Sequence, residues 1–195
     1  MQIRQLSLRS LFIAVAVVAV VLTCVTRQRR TASQIRACDP HVELSYRYQF
    51  KNYDDADHYS LDNDAELSGT LSYFGPDVAS TIVQVRSRGA NDPSEIARLS
   101  SKLAHLRTLV IRDTPLTDVD LLPLVALTRI RGLHLQGTAI TDESVLILSQ
   151  LQSLVVLNVE NTSLSESAID ELRAALPHAR IWFGPVSGSM SGGMM

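Results

Sequence analysis

Hydrophobic residues in the C-terminal half of the chain recur with a period of 24 residues. Three copies of this period coincide in seven columns, and every column is apolar except one, which holds threonine in all three copies. In the first copy, the columns fall at Leu106, Leu109, Ile111, Thr114, Leu116, Leu121 and Leu124. Agreement across so many positions indicates internal repetition.

Each repeat is predicted to form a strand, a turn and a short helix. Leu109 and Ile111 lie two residues apart, so a strand directs both side chains to one side of a sheet. Thr117-Asp118 and Thr141-Asp142 supply an N-cap oxygen and first-turn negative charge for the helical segment that follows. Pro123 favours a 3₁₀ or irregular segment over a full helix in the first repeat. No such unit can bury its own apolar side, so neighbouring units must stack.

The regions that flank the repeats predict elements that close the stack. Upstream, Asp92 is placed to cap a helix, Pro93 fits the first helical position, and Glu95 can complete a capping box. Downstream, Ile181 and Phe183 continue the apolar columns by one more period and predict a last strand.

The repeat resembles that of the leucine-rich-repeat family. Its unit reads L-x-x-L-x-L-x-x-T-x-[LI]-[TS]-[DE], with threonine at the family's asparagine position. With Leu6–Leu11 before an apolar run, Thr114–Asp118 and Thr138–Asp142 make the chain similar to short membrane-anchored leucine-rich-repeat proteins of planctomycete-type bacteria. The resemblance covers residues 82–183. It implies an α/β fold: a short solenoid of 24-residue strand-turn-helix repeats over residues 81–184, preceded by one N-terminal transmembrane helix.

The apolar run near the N-terminus predicts a membrane contact. Residues 10–26 carry no charge, and Thr23 is the only polar residue between Leu11 and Val25. A helix rises about 1.5 Å per residue, so the run covers roughly 25 Å, at the short end of what a bilayer core needs. Arginines on both sides can reach the headgroups. We therefore expect a single-pass transmembrane signal anchor at residues 10–26, with the lipid bilayer as its partner.

Two alternatives to a retained anchor stay open. A cleaved signal peptide also begins with a basic segment and a short apolar run, although the one small-x-small site, Ala14-x-Ala16, lies inside the run. A lipoprotein acylated at Cys24 is the other, although no small residue directly precedes that cysteine. Two arginines precede the run and four follow it, whereas signal anchors in bacteria commonly export repeat domains. The side of the membrane is therefore not predicted.

Residues 27–80 predict a basic linker and a strand-containing adaptor. A short helix is expected from Thr31 to Cys38, and the alternation of residues 41–50 predicts a half-buried strand. Residues 54–66 carry six carboxylates and predict a solvated acidic loop. A calcium site at Asp62-x-Asp64-x-Glu66 stays an alternative, although this segment lacks the glycine that such loops need. The remaining segments are a basic tail at residues 1–9 and a disordered tail at residues 185–195.

Composition and charge exclude several classes of protein. Hydrophobic residues make up 46% of the 195 residues and charged residues 19%, which excludes a disordered chain, a collagen-like chain and a polybasic nucleic-acid-binding tail. No nucleic-acid partner is predicted. The net charge of −2 hides a split, because residues 1–38 hold six arginines and no acid, whereas residues 39–195 carry 12 basic and 20 acidic residues. Two cysteines exclude a disulfide scaffold and a four-cysteine zinc site.

The sequence contains no catalytic constellation. Gly188-Ser-Met-Ser-Gly192 has methionine where a nucleophile elbow needs serine, no glycine-rich phosphate loop is present, and the five histidines are scattered. We therefore expect no enzyme activity, no cofactor and no metal.

The family resemblance implies a binding surface. In leucine-rich repeats, residues that alternate with the core leucines on each strand face the concave side. Two columns meet this condition here, and neither contains an aromatic anchor. The predicted binding residues are Arg112, His134, Gln136, Asn158 and Glu160. We expect a non-catalytic protein–protein interaction module for an unknown protein partner. The alternative is a structural cell-envelope component without a dedicated ligand face.

Overall fold

A computed structural model describes residues 8–49 and 81–185. These residues form a mixed α/β structure with one N-terminal apolar helix and a six-stranded sheet, which confirms the predicted α/β class. The acidic loop predicted at residues 54–66 and the tail beyond residue 185 lie outside the described residues. The helices are α1 (Leu8–Cys38), α2 (Pro93–Ser100), α3 (Val145–Leu148) and α4 (Glu166–Ala175). The strands are β1 (Glu43–Tyr46), β2 (Ile82–Arg88), β3 (Thr108–Arg112), β4 (Gly132–His134), β5 (Val156–Asn158) and β6 (Arg180–Trp182).

The strands of the sheet follow one another in chain order, from β1 to β6. β1 pairs antiparallel with β2, and every later pair is parallel. The strands of each parallel pair are offset by 24 residues, so that Leu109 lies beside Leu133, Leu133 beside Leu157, and Leu157 beside Ile181. The period of the sequence is therefore the offset between neighbouring strands.

The core lies on one side of this sheet. Leu109 and Ile111 of β3 are fully buried, as are their equivalents in the next two periods. α2, α3 and α4 cover that side, each with apolar residues in the same core cluster. Each fully buried leucine or isoleucine contributes about 1.5–3 kcal/mol, so the columns outweigh any single surface contact.

The threonine column lies at the turn after each strand. The Thr138 hydroxyl donates to the Leu135 carbonyl oxygen at 2.6 Å, and the Thr162 hydroxyl donates to that of Val159 at 2.7 Å. These bonds satisfy carbonyl groups at the point where the chain leaves the sheet. The Thr114 hydroxyl of the first repeat is buried, and it has no hydrogen-bond partner within residues 8–49 and 81–185.

The Thr-Asp dipeptides connect consecutive repeats. The carboxylate of Asp118 accepts the backbone N–H and the hydroxyl of Thr141, both at 2.8 Å. Asp142 accepts the same two groups of Ser165, again at 2.8 Å. Hydrogen bonds from Ser165 hold the pKa of Asp142 below its usual value. The sequence suggested a role within each repeat's own helix, but both carboxylates reach the following repeat.

The predictions for the start of α2 and for the segment around Pro123 are confirmed except for the capping box. Asp92 caps α2, accepting the Glu95 backbone N–H at 2.9 Å, and Pro93 takes the first helical position. Glu95 does not close the expected capping box, because its carboxylate bonds to Arg98. Pro123 lies in a 3₁₀ segment, Asp118–Ala126, as the sequence predicted.

α1 is one continuous helix of 31 residues. It includes both the apolar run and the short helix expected from Thr31, so residues 27–30 are helical rather than a flexible connection. Its apolar side chains from Phe12 to Leu22 are exposed, whereas Thr31, Ala32 and Ile35 are buried. Within residues 8–49 and 81–185, it is the one helix long and apolar enough to span a membrane.

The strand predicted over residues 41–50 is shorter than expected. β1 ends at Tyr46, where the pairing with β2 is irregular and a 3₁₀ turn, Arg47–Gln49, begins. The Gln49 side chain accepts the Tyr46 backbone N–H at 2.7 Å and so diverts it from the sheet. Tyr46 itself is buried, and its hydroxyl accepts a hydrogen bond from Arg36 of α1 at 2.8 Å.

The carboxylate of Asp118 is expected to stabilise the packing between repeats. D118A removes a charged acceptor that holds two donors of the next repeat, and should lower the free energy of unfolding by about 1–2 kcal/mol. Urea unfolding of the full chain in maltoside micelles, followed by the fluorescence of the single tryptophan, measures this change.

D170A is the matched control, because Asp170 is exposed and pairs with Arg173 within α4 at 3.0 Å. Such a pair contributes about 0.5 kcal/mol or less. An equal loss in D118A and D170A would contradict a special role for Asp118.

Candidate functional site

The side of the sheet opposite the core presents two rows of side chains. The first row runs across neighbouring strands in register and contains Arg86, Val110, His134, Asn158 and Trp182. The second row contains Arg88 and Arg112, with Gln136 and Glu160 at the equivalent positions after β4 and β5. We call these two rows the strand face. All five predicted binding residues belong to it.

One end of the strand face is basic. Arg86 and Arg88 are exposed on β2, and Arg112 is half-buried on β3. Glu43 lies 3.5 Å from Arg86, and Asp113 lies 3.8 Å from Arg88. Arg112 was among the predicted binding residues, but the other two arginines, which stand 24 residues before Val110 and Arg112, were not. Extending the repeat columns one period upstream would have found them.

Arg112 and His134 lie against each other in the middle of the face. A guanidinium nitrogen of Arg112 is 3.5 Å from Nδ1 of His134. Burial, and then the charges of Arg112 and Arg86, lower the pKa of His134 to about 4. Burial, and then Arg88 and Arg86, also lower the pKa of Arg112. His134 is therefore neutral near pH 7 and can accept or donate a hydrogen bond without adding charge.

Asn158 and Glu160 form a second small cluster. Asn158 is buried. Its side-chain NH₂ donates to a Glu160 carboxylate oxygen at 3.0 Å, and its side-chain oxygen accepts the Glu160 backbone N–H at 3.0 Å. Asn158 thus orients Glu160 rather than offering itself to a ligand. Gln136 is half-buried between the two clusters.

The other end of the face carries an aromatic residue. Trp182 is 46% exposed and stands beside Asn158 in register. One period beyond the predicted binding columns, the strand face therefore contains an aromatic residue that was not among the predicted binding residues. The predicted core positions Ile181 and Phe183 were the available signal, because a residue between two inward-facing residues of a strand points to the opposite side.

No group of three or more histidine, cysteine or acidic residues that could hold a metal lies within residues 8–49 and 81–185. The calcium candidate in the acidic loop, Asp62 to Glu66, lies outside those residues.

Comparison of the sequence with protein-family models gives no match, and comparison with curated proteins gives none either. The strand face is therefore interpreted from its own chemistry.

The low pKa of His134 predicts that the fold loses stability in acid. The unfolded chain takes up a proton at His134 near pH 6.5, and the folded chain does so only near pH 4. The contribution of the neutral ring is complete above pH 6.5 and disappears as the pH falls to about 4, a loss of about 2–3 kcal/mol in the free energy of unfolding.

Urea unfolding at pH 7.0, 5.5 and 4.5 tests this dependence. H134Q should remove that part of the pH dependence, whereas H178Q, at an exposed histidine, should retain it. Equal pH profiles for the wild type and H134Q would contradict the assignment.

Proposed function

We propose that the protein is a single-pass, membrane-anchored leucine-rich-repeat protein whose strand face binds another protein without catalysing a reaction. Three groups of observations support the three parts of this proposal: the repeat architecture, the anchor and the binding face.

The repeat architecture is supported by contacts that recur with the sequence period. Each parallel strand pair is offset by 24 residues, and a carboxylate at the same position of two repeats bonds to the N-cap of the next. The columns of buried leucine and isoleucine lie one above another along the sheet. Such nearest-neighbour packing is what a leucine-rich-repeat solenoid requires.

The membrane anchor is supported by the surface of α1. The side chains of the uncharged run are exposed from Phe12 to Cys24 in the described part of the chain, and a bilayer would cover them. Directly after this run, Arg27 and Arg30 line an open cleft together with Lys102 from the end of α2. Three cations beside the end of an apolar helix suit the level of the lipid phosphates.

The strand face supports the binding role because its two ends carry side chains suited to recognition. Tryptophan and arginine are the residues most enriched among those that dominate interface energies. Here an exposed tryptophan and a group of arginines occupy opposite ends of one face, with His134 between them. This arrangement is the observation on which the proposed function mainly depends.

A photo-crosslinking amino acid on the strand face is expected to capture a defined partner in cells of the source organism. Benzoylphenylalanine at position 136 or 182 should give an adduct of the same discrete mass. The same group at position 171, on the exposed surface of α4, should not give that adduct. Absence of adducts at both strand-face positions would favour the structural cell-envelope alternative.

Membrane anchorage is tested separately by carbonate extraction and intact mass. The full chain of 21.4 kDa should remain in the membrane pellet. A double variant, V17R/V20R, should shift to the supernatant, because each arginine at the centre of a span costs about 2.5–3.5 kcal/mol.

Q34R adds charge on the same helix beyond the apolar run and should stay in the pellet. A shorter mature chain that begins after the apolar run would support a cleaved signal peptide. An added lipid mass on a chain that begins at Cys24 would support acylation.

A further inference from the structure

The arginines of the strand face are arranged at an electrostatic cost. Arg88 and Arg112 are direct neighbours across the β2–β3 pair, where strands lie only about 4.8 Å apart. Like charges in such positions destabilise a sheet. Arg86 stands on the same side of β2, two residues before Arg88. The acids nearby offset this repulsion only in part. Glu43 and Asp113 pair with Arg86 and Arg88 at 3.5 and 3.8 Å, and both pairs are exposed. Asp113 and Glu160 also attract Arg112, but each does so more weakly than Arg88 or Arg86 repels it.

Arg112 has no carboxylate partner within salt-bridge distance among residues 8–49 and 81–185. Its Nε–H is buried and makes no hydrogen bond with those residues. A buried donor without a partner destabilises the folded protein, and the cost is larger when the group is charged. Arg112 therefore combines an unpartnered buried donor with burial of its charge and repulsion from Arg88 and Arg86, and a nearby anion would reduce the last two of these costs.

An open cavity of about 390 Å³ adjoins this cluster. Arg86, Arg88 and Arg112 line it, together with His41 and Glu43 from the β1 end of the sheet and the apolar Val110. The cavity is large enough for a phosphate group or a carboxylate side chain, and three of its lining residues carry positive charge. Arginine suits such groups because its planar N–H donors match two oxygens of one oxyanion.

We infer that this cavity is an oxyanion-binding site, in which Arg112, Arg88 and Arg86 hold a carboxylate or phosphate group. We call it the arginine cavity. An oxyanion site would specify which chemical group of the proposed protein partner contacts the strand face. Only the assignment of the anion to a protein partner rests on the proposed function. A free phosphate ion is the other source of the same chemistry.

Thermal unfolding in the presence of inorganic phosphate tests the site directly. The full chain is held in maltoside micelles, which supply no phosphate group of their own, and unfolding is followed by Trp182 fluorescence. Sodium phosphate at about ten times its dissociation constant should raise the midpoint by about 3–5 °C. Sodium chloride at equal ionic strength should give a smaller shift. Equal shifts with the two salts would overturn the inference.

Variants locate the effect. R112Q and R88Q should each lose most of the phosphate-specific shift, and R88Q, at an exposed position, should unfold in chloride no earlier than the wild type because a like-charge pair is gone. R129Q removes the same charge from an exposed turn elsewhere and should keep the full shift. A phosphate response that survives in both R112Q and R88Q would overturn the site.

The ring resonances of His134 give a second, local readout. Because His134 lies 3.5 Å from Arg112, they should move with the same dissociation constant as the thermal shift. Resonances that stay unchanged at saturating phosphate would place the anion elsewhere.

A capped hexaglutamate peptide, compared with hexaglutamine, distinguishes the sources of the anion. Displacement of phosphate by hexaglutamate but not by hexaglutamine supports a carboxylate of a protein partner as the ligand. Phosphate binding that hexaglutamate cannot displace retains the oxyanion site and rejects a protein carboxylate as its ligand. Because these experiments need no cellular partner, their failure would leave the crosslinking result at positions 136 and 182 unaffected, and a crosslinking failure would not affect them.

Discussion

The apolar side of each 24-residue unit is buried only by the units beside it, and the rest of the structure follows from this constraint. Leu109 lies beside Leu133 of the next repeat, and both belong to one core cluster with apolar residues of the helices. The need to bury these columns fixes the strand offset, because a shift of one residue would turn every leucine outward. The carboxylate links between repeats, such as Asp118 to Thr141, then hold the turns in the same offset.

Burial of one side of the sheet leaves the other side free to carry binding groups. The strand face is not uniform, since it begins with arginines on β2 and β3 and ends with an exposed tryptophan on β6. Between them, side chains are partly committed to one another, as with Asn158 and Glu160. Arg112 differs from this pair, because its buried Nε–H has no hydrogen-bond partner within residues 8–49 and 81–185. In the proposed function, Asn158 would position Glu160, whereas Arg112 would contact the ligand.

The continuity of α1 determines how the sheet is held relative to the proposed membrane. The helix leaves its apolar run and packs Ala32 and Ile35 into the core without an intervening loop. Arg27 of the helix and Lys102 of the α2 end therefore line one cleft. In the proposed arrangement, a rigid helix, rather than a tether, would set the distance between the bilayer and the strand face.

The sequence by itself determined which apolar columns are buried and in what order the parallel strands of the repeats lie. A period of 24 with fixed apolar columns leaves one way to bury them, and Leu109, Leu133 and Leu157 adopt it. Arg88 lies one period before Arg112, and Trp182 lies one period after Asn158. The residues of the strand face could therefore be predicted from the sequence, although these two at its ends were not. The tertiary structure alone decided which partner each polar group takes. Asp118 could bond within its own turn or to the next repeat. The pKa of His134 depends on burial and on two arginines of other strands. The spacing of apolar residues along the chain predicts which of them are buried. The partners of polar groups depend on distances between repeats, which are set only when the repeats pack.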